Sequence, residues 1–362
     1  MNTRIEKLKV SAPARICLFG EHQDFLGLSV IAMGISLRMR IDALRRKDGL
    51  YCIHMPDINA KEEFIPSGEI SYGNKRDYLK SAVNVLKRKG FSFKEGYDFT
   101  ITSQIPINAG SASSSVMVVA WIKMLLDIHG DTKFNNPEDI ANFGYLTEVV
   151  EFGEPGGMMD HYSSAFGGII YIDCKQPISY VLLDGSIDGF VLGHSLEKKD
   201  TTGVLRKSRQ DVENGIEILK QKIKGFNIKT TELEKAKPYL REMDAETAKK
   251  LLANFENRDI CQEALNLIKT TPLNQKRLGE LLSEHHRRLR DGLGISTEKI
   301  EKMITASINA GALGCKINGS GGGGTMIAYA PGRQEEVALA IDNAGGKAYI
   351  IKKDTGVREE TK

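Results

Sequence analysis

The stretch PINAGSASSSVMVVAWIKMLL, residues 106–126, sets four serines and a glycine directly ahead of an apolar run. Small hydroxyl residues offer backbone N–H groups with little bulk, and they stand where a helix would begin. The first N–H groups of a helix have no partner within it and carry the positive end of its dipole. Such a place suits an anion, a phosphate above all. A tight strand-to-helix turn would need much the same residues, so the surroundings have to decide. Just before it, YDFTITSQI (97–105) alternates like a strand. From Ser113 to about Asp127, apolar residues at 116, 119, 120, 124 and 125 fit one helical face.

The chain has 362 residues, long for one core and comfortable for two domains. Its 50 basic and 47 acidic residues leave a net charge of +3, which gives no electrostatic case for a nucleic acid or an acidic surface. The basic runs LKRKG (86–90) and HHRRLR (285–290) are expected to be solvated helix faces. Cys17, Cys52, Cys174, Cys261 and Cys315 are odd in number and form no CxxC pair, so they read as reduced, mostly buried thiols. MNTRIEKLKV lacks an apolar core of signal-peptide length, and Lys123 interrupts the longest apolar helical candidate. A soluble cytoplasmic protein, bound neither to membrane nor to nucleic acid, is expected.

Strands and helices mix along the chain. KLKVSAPARICLFG (7–20) and SLRMRIDALRR (36–46) alternate like strands. Residues 137–151 follow as a helix, with Pro137 in its first turn and acids beside it. GGIIYID (167–173) and YVLLDG (180–185) return to strand. Residues 205–305 are mostly amphipathic helix, before KINGSGGGGTMIAYAP (316–331) and KAYIIKK (347–353) close with strands. The change of character at 185–205 is the best candidate boundary.

INGSGGGGTMIA formally fits GxGxxG at Gly319, Gly321 and Gly324. That pattern marks a dinucleotide fold only when a helix follows, whereas TMIAYA reads as a strand. No GxxxxGK[ST] occurs either. What is left is a glycine loop that brings backbone very close to something; a plain hairpin turn would need two glycines and not four in a row. ARICLFGEHQDFLG (14–27) gathers Arg15, Glu21, His22 and Asp24 around one bend, where charges either pair with one another or meet a polar ligand. EVVEFGEPGGMMDHYSSAFGG (148–168) sets Asp160 between two glycine pairs.

In this order the stretches resemble the GHMP kinase family, and within it the galactokinase branch. Residues 106–115 match the family's phosphate loop, roughly PxxxGLSSSA. ARICLFGEHQDFLGL is similar to the galactokinase signature GRxNLxGEHxDYxGG. GGMMDH matches CGxMDQ, GALGCKINGSGGGG matches the last glycine motif, and DTGVRE resembles the galactokinase ending. The likeness runs from about residue 8 to about residue 356. It implies an α+β fold of two domains, a βαβ-rich N-terminal ATP-binding domain over 1–190 and a ferredoxin-like C-terminal domain over 191–362, with the site between them.

The resemblance also implies roles. Pro106, Asn108, Ala109, Gly110, Ser111, Ala112, Ser113, Ser114 and Ser115 would wrap the triphosphate of ATP, with Tyr78 in the adenine pocket. Ser114 and Glu148, twelve residues before Asp160, would hold Mg2+, and Glu151 is a second candidate for the carboxylate. Asp160 would face the acceptor hydroxyl as base or electrostatic aid, beside Arg15. Glu21, His22 and Asp24, with Gly321 and Gly322, would bind the sugar.

Some positions depart from the family pattern. Lys75 stands where galactokinases have an aromatic ring, Asn108 replaces a loop glycine, Ser111 and Ala112 replace a leucine and a serine, and Phe25 replaces a tyrosine. TTGVLRKSRQDVENG (201–215) is shorter than the galactokinase segment ending ASSEYxxR and lacks its sugar-contacting tyrosine. The expectation is therefore a sugar 1-kinase acting on a neutral monosaccharide with galactose-like stereochemistry, the sugar itself left open. The alternatives are a family kinase for mevalonate or a uronic acid, and a non-catalytic sugar and ATP sensor. A sensor predicts a broken catalytic set, whereas Asp160, Arg15 and Ser114 are all present. SEHHRRLRDGLGIS (283–296) resembles a stretch in mevalonate kinases as well as in galactokinases and does not separate the two.

Overall fold

The computed structural model describes residues 6–106, 112–154, 156–185, 187–197 and 202–360, the side chains of 202–208 excepted. Asn108, Ala109, Gly110 and Ser111 of the expected phosphate loop lie outside these residues. The strands are β1 (Lys7–Phe19), β2 (Ser29–Arg46), β3 (Tyr51–Met55), β4 (Ala60–Phe64), β5 (Gly96–Ser103), β6 (Ile169–Asp173), β7 (Ser179–Leu183), β8 (Phe190–His194), β9 (Gly314–Asn318), β10 (Thr325–Tyr329), β11 (Lys347–Ile351) and β12 (Arg358–Glu359). Between them run helices α1 (Tyr78–Arg88), α2 (Ser113–His129), α3 (Pro137–Tyr145), α4 (Met159–Phe166), α5 (Thr202–Lys222), α6 (Leu233–Leu240), α7 (Ala245–Ile268), α8 (Gln275–Arg287), α9 (Glu298–Asn309) and α10 (Gln334–Asn343).

Two sheets organise these elements. The first runs β12-β1-β2-β5-β3-β4, with β6 on β2 and β7 on β6; among the described residues its one parallel pair is β3 with β5, whose crossover contains α1. The second runs β11-β8-β10-β9, all antiparallel, which is the strand order of a ferredoxin-like sheet. The short β12 pairs with β1, so the end of the chain returns to the first sheet. Arg38, almost wholly buried, holds that return: Nη1 donates to Asp354 Oδ2 at 2.9 Å and Nη2 to the Gly356 carbonyl at 2.9 Å. The boundary expected at 190/191 therefore does not part the two sheets along the sequence, since β12 takes up the open edge that β1 offers.

α2 is the central helix of the first domain. Trp121, Val118, Leu125 and their neighbours are fully buried, and Trp121 Nε1 donates to the Leu79 carbonyl at 3.0 Å. It runs slightly past the expected end near Asp127, to His129, and stops on left-handed Gly130, whose N–H closes onto Asp127. α3 starts on Asn136, whose side chain accepts from the Asp139 N–H at 3.0 Å, with Pro137 next. The expected helix over 137–151 then widens into a π turn at Leu146–Val150. That wider turn carries Glu148 into the interior.

The basic run HHRRLR is not the solvated face expected of it. His285, His286 and Leu289 are buried, and within the run only Arg287 and Arg290 are exposed. His285 stacks on Phe19 at 5.9 Å, and burial together with the Lys316 charge pushes its pKa well below the usual imidazole range. No helix among the described residues is long and apolar enough to cross a membrane.

Candidate active site

β1 passes beneath α2 and α4, which buries nearly all of it. A buried arginine needs an anion, and Arg15 finds one in the first turn of α4: Nε donates to Asp160 Oδ1 at 2.8 Å. Burial alone would lower the Arg15 pKa, but the Asp160 charge and hydrogen bond outweigh it and the guanidinium is held above its usual value. The Arg15 side chain is 4 % exposed and that of Asp160 28 %. The pair is thus anchored from inside, while the carboxylate still reaches solvent.

Asp24 joins this pair from the one-turn segment Asp24–Leu26. Its carboxylate accepts from the Phe25 N–H at 3.0 Å and from the Met159 N–H at the start of α4. Burial, then the nearby Asp160 charge, raise its pKa to about 6. Gly157 makes the approach possible, since a Cβ there would lie 1.9 Å from Asp24 Oδ2. His22 stands beside it, half-buried with φ +60°, its carbonyl accepting from Asn254 Nδ2 at 3.2 Å.

Glu21 does not join them. It is buried, one oxygen bound to Lys316 Nζ and the other accepting the Gly319 N–H at 3.0 Å. The expected contact between Glu21 and a sugar hydroxyl is corrected on this ground, since the carboxylate has no open side to offer. Lys316 spends its other donors on the carbonyls of Cys17 and Ile317, at 2.9 and 2.8 Å. Cys17 N–H in turn donates to Asn318 Oδ1 at 2.9 Å. These bonds fasten the end of β1 to the start of the glycine loop. The loop itself joins β9 to β10 as a hairpin after all, but Gly319, Gly321, Gly322, Gly323 and Gly324 all have positive φ. A Cβ on Gly321 would meet Ile295 Cβ at 2.5 Å, and Gly322 N–H donates to the Ile295 carbonyl at 2.8 Å. Close packing on Ile295 thus accounts for these two glycines without a sugar.

On the other side of α4, Ser114 Oγ donates to Glu148 Oε1 at 2.7 Å, and His161 Nε2 lies 2.8 Å from Glu148 Oε2. Burial would raise the Glu148 pKa, but the bonds from His161, Ser115 and Ser114 win and hold it below the usual carboxylate range. The donor set fits magnesium. Two oxygens at 2.7 Å are close to the edge of about 2.9 Å in an octahedron with bonds of about 2.0–2.1 Å. Glu151, the second candidate, is instead engaged by Tyr72 Oη at 2.6 Å and Arg88 Nη2 at 2.7 Å. Pro106 is buried at the near end of the serine loop. Ala112, with φ +61°, ends that loop, and α2 begins at Ser113.

Tyr78 starts α1, buried edge-on to Phe152 at 5.5 Å, and burial pushes its hydroxyl pKa up. Phe152 thus sets a second aromatic ring beside Tyr78. The sequence reading missed Phe152, His161 and Lys316. His161 directly follows Asp160, and Gly144 leaves room for its ring, with Cδ2 only 2.9 Å from where a Cβ would stand. Lys316 had a legible signal, a lone charge in the strand GCKIN whose neighbours are apolar.

Known proteins resemble the chain along most of its length. Residues 77–168 match the N-terminal domain of GHMP kinases, 264–347 their C-terminal domain, and 3–43 the galactokinase galactose-binding signature. A mevalonate kinase of Thermococcus sibiricus is 32 % identical over 96 % of both chains. A galactokinase of Mannheimia succiniciproducens is 25 % identical over 99 % of this chain and 92 % of its own length. The crystal structure of Lactococcus lactis galactokinase complexed with galactose superposes with a TM-score of 0.86, covering 98 % of this chain and 95 % of that one, at 19 % identity. This last likeness concerns the fold.

Proposed function

The chain belongs to the GHMP kinase family, and from that premise we propose that it uses ATP to phosphorylate the anomeric hydroxyl of a neutral sugar. The observation that supports this acceptor is the juxtaposition of Asp24 with Asp160 while the Arg15 charge is already committed to Asp160. Carboxylates accept hydrogen bonds and repel anions, so the pocket favours a donor-rich neutral ligand over a carboxylic acid. Asp24 and His22 would bind ring hydroxyls.

Phosphoryl transfer requires alignment, charge neutralisation and a place for the acceptor proton. Asp160 takes the proton of the attacking hydroxyl, and Arg15 keeps that carboxylate oriented and spreads positive charge towards the transferred group. Residues 106–115 and the start of α2 cradle the phosphates of ATP, and Tyr78 with Phe152 flanks the adenine. Ser114 and Glu148 would hold Mg2+, which would neutralise phosphate charge, and His161 keeps Glu148 in place.

A mevalonate kinase is the second reading, favoured by 32 % identity to the Thermococcus enzyme. An ADP-release assay over galactose, arabinose, N-acetylgalactosamine, galacturonate, glucuronate and mevalonate separates the two. Turnover with neutral sugars supports the proposal; turnover with mevalonate or a uronic acid alone rejects it.

A further inference from the structure

The outer face of the first sheet carries a group of side chains with no part in the kinase site. β3 alternates: Tyr51 and Ile53 enter the core, whereas Cys52 and His54 face the other way. On β5, Tyr97 and Phe99 are core and Asp98 lies on the outer face. The register places Cys52 directly between Asp98 of β5 and Glu63 of β4. The ligand atoms of Cys52, His54 and Asp98 lie within 4.8 Å of one another, and Cys52 Sγ donates to Glu63 Oε1 at 2.9 Å. β3 is separated from β1 and Arg15 by β5 and β2.

We propose that Cys52, His54 and Asp98, with Glu63 swinging from Cys52 Sγ into the fourth position, form a binding site for a zinc-type transition-metal ion that staples β4, β3 and β5 together. One sulfur, one imidazole and carboxylate oxygens suit a borderline-soft cation in tetrahedral geometry and do not suit magnesium. Bonds of about 2.0–2.3 Å put tetrahedral ligands about 3.3–3.8 Å apart, so the three atoms need to close by about 1 Å. The exposed His54 can supply that movement by rotation. Without metal, the carboxylates are held by cations: Arg46 Nη1 donates to Asp98 Oδ1 at 2.6 Å, and Lys61 pairs with Glu63. Metal binding displaces both contacts and releases the Cys52 thiol proton to solvent.

Cobalt(II) is the probe. Protein stripped by a chelator is titrated with Co2+ in excess Mg2+, which occupies the kinase site. We expect one equivalent bound, with the near-ultraviolet charge-transfer band of a cobalt–thiolate bond, and loss of that band on adding Zn2+. Cys52→Ser abolishes the band, and His54→Ala, at an exposed position, weakens Co2+ binding at least tenfold. Zinc slows amide exchange in β3 and β4. Absence of the band in the wild-type protein, its persistence in C52S, or unchanged affinity in H54A would each overturn the site.

Discussion

Replacing Lys316 by methionine tests how the two sheets are joined at the site. The Lys316 side chain is 0 % exposed and that of Glu21 2 %. Removing one partner of such a pair leaves a buried charge uncompensated, which costs about 3–5 kcal/mol. The carbonyls of Cys17 and Ile317 also lose a donor, at about 1–3 kcal/mol for each buried group left unsatisfied, though these losses overlap with the first and do not add in full. We therefore expect Lys316→Met to destabilise by about 3–5 kcal/mol. Glu21→Leu together with Lys316→Met should recover most of that loss, because an apolar pair of similar volume avoids the desolvation cost. Denaturant unfolding of the wild type, both single variants and the double variant completes the cycle. Turnover provides the second readout. Glu21 also holds the Gly319 N–H, so the double variant should stay folded yet lose activity as the glycine loop loosens. A loss below about 1 kcal/mol in Lys316→Met would refute the argument that the pair is buried and dry.

Asp160→Asn keeps shape but removes the charge, and kcat should fall about a hundredfold or more while ATP affinity holds; near-normal turnover removes Asp160 from the chemistry. Ser114→Ala should weaken use of magnesium-ATP, whereas Ser113→Ala should cost about 1 kcal/mol of stability or less; equal, small effects on turnover would take Ser114 out of the metal site. The Asp24 pKa is raised to about 6, so the folded state holds its proton more tightly than the unfolded chain does. Its contribution to stability is present below about 4 and is lost as pH rises through about 6. Hydroxyl donors bind the ionised form, so the acceptor KM should fall as pH rises through about 6, a dependence that Asp24→Asn removes; a flat KM profile in the wild type contradicts this. Gly157→Ala should raise the acceptor KM, since its Cβ would displace the Asp24 carboxylate.

Much of this was legible in the sequence because it is local. The strand at β1, the helical face after Ser113, and the helix start at Pro137 each depend on residues a few positions apart, although β1 is buried on both faces over most of its length and does not alternate there. Arg15, Asp24, Asp160, Ser114 and Glu148 were named as motif positions, and the fold brings the first three together and sets Ser114 on Glu148. What was not legible depends on distant pairing. Glu21 sits inside a sugar-binding motif, but its partner is 295 residues away, and burial by that partner changes what the carboxylate can do. HHRRLR looks solvated because it is basic, yet the turn of α8 directs both histidines inward, against Phe19 and against Ile317 near the end of β9. The return of β12 to β1 follows from an open strand edge, which local periodicity does not record.

Phosphorus and proton NMR of the product formed from galactose and ATP reads directly which hydroxyl receives the phosphate. Transfer to the anomeric hydroxyl of a neutral sugar, as we propose, gives one new phosphomonoester whose phosphorus couples to the anomeric proton. A phosphate on the primary hydroxyl would contradict it, as would product formed from mevalonate and from no sugar.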